Sequence, residues 1–207
     1  YNEYCTWLFH SHKQISTKVI DAPIALQNYQ YWREKTGLGP ESHLYSKATF
    51  LDAEEASHPS IPWRVLLPNL RSGHNVGSII RTVDCFGWQG VDLCGYSPDG
   101  DNKSVQGAAM GAQNWVDIQH WDSWQDAFAN YSSIDKWALE TGPEAKIVDT
   151  FAWPQAGILV LGNEEFGIQP DLLAACDGVL TIPQFGRKAS LNVANAFAIA
   201  AFQARRS

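Results

Sequence analysis

Three stretches of this chain carry polar residues that their apolar surroundings do not require. In NLRSGHNVGSIIRTVDCFG, from Asn69 to Gly87, Asn75, Ser78 and Arg81 recur at three-residue intervals. On a helix whose apolar face is Val76, Ile79, Ile80, Val83 and Phe86, that spacing lines an amide, a hydroxyl and a fixed positive guanidinium along a second face. An Asn cap followed by a solvated Arg accounts for the helix equally well, but Gly73 and Gly77 favour close approach by a ligand or by another chain segment. In LVLGNEEFGIQP, from Leu159 to Pro170, a buried strand ends on Gly162, and Glu164 and Glu165 follow inside a glycine-bounded loop. A glycine there opens the backbone to a ligand. The two carboxylates and the lack of GxxxxGK[ST] exclude a phosphate cradle, and taken alone the stretch reads as an ordinary strand-to-helix turn. In GRKASLNVANAFAIAAFQARR, from Gly186 to Arg206, the helix after Asn195 has no broad polar face and is expected to be buried on nearly all sides. Its start nevertheless holds Arg187, Lys188, Ser190, Asn192 and Asn195. Ser190 is the expected N-cap, and a cap uses one residue, so Asn192 and the basic pair remain for a site.

The elements that must position these residues form a regular series from Pro62 onward. Strands are expected at 63–67, 91–95, 114–118, 136–140, 157–162 and 178–183, and helices at 75–86, 122–131, 170–176 and from Ser190 to the end. Short apolar strands alternating with helices predict an α/β fold with a mainly parallel sheet covered on both faces. Ligands in such sheets bind on the loops beyond the carboxyl ends of the strands, which is where the three stretches lie. Residues 1–60 lack this alternation and read as a mostly helical extension of unknown role, so the domain proper is expected over 61–207.

The chain has 207 residues, 45% hydrophobic, enough for one well-buried domain and an appendage. No apolar run approaches the roughly 20 residues that cross a bilayer, and the first residues show no secretory pattern, so a cytoplasmic protein without membrane association is expected. Its four cysteines show no metal or disulfide spacing, and reduced thiols are the default. His10 and His12 have no carboxylate or thiol cluster beside them and read as surface residues, so no metal is expected. A net charge of −7 argues against a protein that coats nucleic acid non-specifically. A local basic patch, drawn from Arg64, Arg71, Arg81, Lys103, Arg187, Lys188, Arg205 and Arg206, is still compatible with it. Trp63, Trp88, Trp115 and Trp137 stand singly at the edges of apolar runs and are expected in the core.

Together the three stretches resemble the three motifs of the SpoU (TrmH) branch of the SPOUT methyltransferases. NLRSGHNVGSIIRT resembles the first through Asn75, Gly77 and Arg81, LGNEEFG the second through Gly162, Glu164 and Gly167, and SLNV the third at Ser190–Val193. The similarity covers about residues 62–206. It implies an α/β fold with a C-terminal trefoil knot, whose threaded helix would explain the run of alanines from Ala194 to Ala201. It also implies a homodimer that transfers a methyl group from S-adenosylmethionine, without a metal, to a ribose 2′-hydroxyl of tRNA or rRNA. By resemblance the cofactor lies against Leu139, Gly162, Ile182, Ser190 and Leu191. Arg81 is the main catalytic residue, and Asn75, Glu164, Ser190 and Asn192 build the pocket around it. Arg71, His74, Lys103, Arg187 and Lys188 are the expected RNA contacts. Two other readings stay open: a non-catalytic RNA-binding protein that keeps the fold, and a methyltransferase acting on a base.

Overall fold

The computed structural model describes residues 60–207. The mostly helical reading of residues 1–60 and the placement of His10 and His12 fall outside the described residues. From Ile61 the chain forms an α/β fold built on a seven-stranded, wholly parallel sheet. The strands are β1 (Ile61–Pro68), β2 (Trp88–Cys94), β3 (Asp117–Trp121), β4 (Lys136–Leu139), β5 (Lys146–Ile147), β6 (Gly157–Leu161) and β7 (Gly178–Thr181). Their order in the sheet is β3-β2-β1-β6-β4-β7-β5. Helices α1 (Gly73–Phe86), α2 (Lys103–Ala109), α3 (Trp124–Asn130), α4 (Pro170–Ala174) and α5 (Val193–Arg206) complete the fold. None of them is long and apolar enough to cross a membrane.

Strand side chains alternate between faces, and the two halves of each strand's apolar set feed two separate cores. Trp63, Val65 and Leu67 of β1, with Leu159 and Leu161 of β6, meet α1, α2 and α5 through Val76, Ile80, Val105 and Phe197. Leu66, Ile158 and Val160 face the other way, onto Ala127 of α3 and Leu172 of α4. Both faces of the sheet are therefore covered, as the strand-helix alternation predicts.

Several expectations are corrected. The third strand begins at Asp117, not 114, because Ala112–Asn114 close a 3₁₀ turn after the left-handed pair Met110 and Gly111. Helix α2 and the two-residue β5 were missed. Trp63, Trp88 and Trp137 are buried as expected, but Trp115 is 52% exposed, its indole donating to Asp84 at 2.7 Å. Arg64 cannot belong to a basic surface patch. It is buried on β1, with Nε 2.7 Å from Asp92 of β2 and Nη1 2.6 Å from Asp117 of β3. The closing helix starts at Val193 and is open on one side, with Ile199 and Phe202 exposed while Phe197, Ala200 and Ala201 are fully buried.

Candidate active site

β6, β4 and β7 are neighbours in the sheet, and their carboxyl ends open into one cavity of about 650 Å³. Leu139 ends β4, with Glu140 and Thr141 just beyond it; Leu161 and Gly162 close β6; Thr181 and Ile182 close β7. The segment from Lys188 to Ala196, which enters α5, forms another wall. A cavity of this size, lined by polar and apolar residues in similar measure and set at the ends of parallel strands, suits a small organic ligand with both kinds of surface.

A chain of hydrogen bonds ties the three polar stretches together. The Glu164 carboxylate accepts from the Arg71 N–H at 2.9 Å, the Ser72 N–H at 3.0 Å and the Asn75 side-chain amide at 3.0 Å. The Asn75 oxygen accepts from the Asn192 amide at 3.1 Å. Asn192 in turn accepts from the backbone N–H groups of Ala194 and Asn195, at 3.0 and 3.2 Å. Asn192, not Ser190, is therefore the N-cap of α5. Ser190 lies two residues too early to reach the first free N–H groups and faces the cavity instead. The cap of α1 is Ser72, whose hydroxyl accepts from the Asn75 N–H, so the Asn75 side chain is free for the chain of bonds. Partial burial of Glu164 opposes its charge, but the bonds from Arg71, Asn75 and Ser72 outweigh it and hold the carboxyl below the usual carboxylate range.

Two glycines have a definite purpose. A Cβ on Gly77 would stand 2.3 Å from the Val105 carbonyl oxygen, so it is helix α2, not a ligand, that approaches α1 there. A Cβ on Gly162 would meet the Gly167 backbone at 2.7 Å, where Asn163 and Gly167 exchange a pair of backbone hydrogen bonds that close the carboxylate loop.

Leu139, Gly162, Ile182, Ser190 and Leu191, the residues expected around a cofactor, all line the one cavity. Of the expected catalytic set, Glu164, Ser190 and Asn192 line it, and Asn75 joins it through hydrogen bonds. Arg81 does not line it. Its guanidinium is exposed further along α1 and donates to the Met110 sulfur at 2.8 Å. Lys188 is at the cavity wall; His74, Lys103 and Arg187 are exposed, and Arg71 is paired with Glu165 at 2.5 Å. Glu140 and Asn163 were missed. Glu140 closes the stretch KWALE, and a carboxylate just past a buried strand was the signal already noted for Glu164.

The fold and cavity thus define an α/β protein with a small-molecule site at the carboxyl ends of three neighbouring parallel strands. The sequence model of the SpoU rRNA Methylase family matches residues 62–202, and the chain belongs to that family. It is 27% identical over 148 residues to a tRNA (guanosine(18)-2′-O)-methyltransferase of Aquifex aeolicus, covering 69% of this chain and 68% of that protein. Similarity to the enzyme of the same name from Escherichia coli K12 is 29% over 144 residues, 69% and 62% of the two chains. Among solved structures it resembles an AdoMet-bound rRNA methyltransferase from Sinorhizobium meliloti, with 30% identity and a TM-score of 0.65 over 72% of this chain and 58% of that one. A TrmH-family protein from Porphyromonas gingivalis gives 33% identity and a TM-score of 0.65, over 72% and 61%. The chain therefore spans about six tenths of those two solved structures.

Proposed function

We propose that this chain transfers a methyl group from S-adenosylmethionine to a ribose 2′-hydroxyl of tRNA or rRNA. The observation that carries the reading is the bonded series Glu164–Asn75–Asn192, which brings the three family motifs to one cavity. The relatives supply its chemistry, since those named act on tRNA and one solved neighbour holds AdoMet. The lining fits a cationic nucleoside ligand. Leu139, Ile182 and Leu191 offer apolar walls, and Glu140, Glu164 and Glu165 outnumber Lys188 at the polar side. When bound, S-adenosylmethionine supplies an electrophilic methyl group on its sulfonium.

The chain's own task is to align nucleophile and methyl group and to lower the cost of deprotonating the hydroxyl. Glu164 is occupied by three N–H donors and acts by fixing the loops rather than as a base. Asn192 fixes the entry to α5, so Ser190 and Leu191 stand at a set position on the wall. An arginine guanidinium is a fixed cation and a poor base. We assign Arg81 to holding the target phosphate and favouring the alkoxide electrostatically, the hydroxyl proton passing to solvent.

The reading extends to residues 61–207 as the catalytic domain, to a cytoplasmic homodimer, and to the knot. Exposed Ile199 and Phe202 on α5, and an Arg81 outside the cavity of its own chain, support a second copy. β7 lies between β4 and β5, and α5 then packs under Trp88 of β2, whose indole donates to the Ala201 carbonyl at 3.4 Å; this path supports threading.

Calorimetric titration with S-adenosylmethionine, then transfer from labelled cofactor to total tRNA and rRNA, tests the proposal. Binding with ribose methylation supports it; binding without transfer to any RNA indicates a scaffold, and methylated base indicates the other chemistry. Arg81→Lys keeps the charge but loses the fork. It should lower kcat by roughly 100-fold or more while leaving cofactor affinity in place. Full activity in that variant overturns the role of Arg81.

A further inference from the structure

Two large aromatic side chains stand exposed beside the cavity on backbone that is fixed. Tyr96 is 61% exposed and Phe166 75%. Neither sits on a loose loop. Around Tyr96, the Gly95 N–H donates to the Trp121 carbonyl at 3.2 Å, the Tyr96 N–H to the Asn69 side-chain oxygen at 3.2 Å, and the Ser97 N–H to the Cys94 carbonyl at 3.3 Å. Around Phe166, its N–H donates to the Asn163 side-chain oxygen at 3.2 Å, inside the turn closed by Asn163 and Gly167.

The two rings share one hub. The Asn163 amide donates to the Asn69 carbonyl at 2.6 Å and to the Tyr96 hydroxyl at 3.3 Å, while its oxygen holds the backbone of Glu165 and Phe166. Asn163 itself lines the cavity. One asparagine of the cavity wall therefore holds both the Tyr96 hydroxyl and the backbone that carries Phe166. Both rings keep most of their surface in water although the backbone that carries them is bonded in place.

We propose that Tyr96 and Phe166 form a stacking platform for an unstacked RNA base next to the ribose presented to the cavity. The inference rests on the methyltransferase reading above. Single-stranded RNA is recognised by splaying bases onto aromatic rings, and a base has apolar faces that match an exposed ring. A nucleotide whose ribose enters the cavity must leave its helical stack, and its base then needs a replacement partner at the rim. Rings carried on backbone that is already bonded in place bind it at a lower ordering cost.

The test uses the full chain and two probes: fluorescein-labelled oligoadenylate followed by anisotropy, and S-adenosylmethionine followed by calorimetry. Tyr96→Ala and Phe166→Ala should each weaken oligoadenylate binding by roughly 5- to 150-fold. Both should raise KM for bulk tRNA while cofactor affinity stays within about twofold, since neither ring lines the cofactor walls. Tyr96→Phe, which loses the bond to Asn163 but keeps the ring, should retain most of the RNA affinity. Unchanged RNA affinity in both alanine variants overturns the platform. So does joint loss of cofactor and RNA binding, which means that the rings only support the loops, and so does a shift of the sedimenting mass, which makes them a protein interface. A wild-type chain that binds oligoadenylate in a ring-dependent way yet takes no cofactor sinks the methyltransferase reading and leaves the stacking intact.

Discussion

Glu164 shows how a single side chain in this site is best described by what it accepts. Its carboxylate is held below the ordinary glutamate range, so the contribution of its bonds is complete above that range and is lost as the pH falls through the lowered value. Cofactor affinity measured by calorimetry should therefore stay level from neutral pH down past the usual carboxylate range and fall only below it. Glu164→Gln turns an amide N–H towards donors that need an acceptor, and should cost roughly 10-fold in affinity at neutral pH with that acid limb removed. A Gln variant with wild-type affinity excludes this role. Much of the site could be read from residue types: the three polar stretches do converge, and Asn75, Glu164, Ser190 and Asn192 share one neighbourhood. The choice of cap could not be read. Ser190 and Asn192 are both good cap types, and only the backbone path decides that the helix opens at Val193. Nor could the position of Arg81 relative to the cavity, since three-residue spacing rotates each successive side chain further round the helix axis.

The elements are held in register by charge as well as by apolar packing. Arg64 on β1 bonds Asp92 on β2 and Asp117 on β3, while Trp121 and Tyr131 donate to the same Asp92 at 2.8 and 3.1 Å. Burial and the Asp92 charge push the Tyr131 phenol up to about 12, so it remains a donor throughout the working range. Asp92→Ala leaves a buried guanidinium with its inner partner gone and should cost about 3–5 kcal/mol, read from urea unfolding. A loss below about 1 kcal/mol means that Asp117 alone suffices. This network explains why sequence reading placed Arg64 on the surface: it sits among apolar neighbours, and its acidic partners lie 28 and 53 residues away. The long buried strands were legible because their apolar runs are continuous. β5 has only two residues, and α2 is a short run rich in small residues, so neither offers a period to detect. The tightness of the α1 and α2 pair hides in Gly77, whose missing side chain can be noticed but not interpreted without the neighbouring helix.

At the scale of the whole molecule, local patterns predicted a parallel sheet with two covered faces, and the structure has one. Strand order is different in kind. Nothing in the residues of β7 announces that it lies between β4 and β5, because edges are set by how connections cross, and threading came to the reading through family resemblance alone. If the C-terminal segment is threaded, stretching the denatured chain from both ends with optical tweezers should stop short of the full contour of about 3.3–3.6 Å per residue. Reaching full contour removes the knot from the proposal. That Asn192 follows the first two motifs in chain order bears on how the protein comes into being. That residue caps α5, bonds Asn75 and walls the cavity together with Leu191 and Ala196. During synthesis the site therefore does not exist until the ribosome has passed Ala196 and released it from the exit tunnel. On the proposed assignment, a nascent chain holding only the first two motifs lacks this wall and is expected to leave the RNA that surrounds it at birth unmodified.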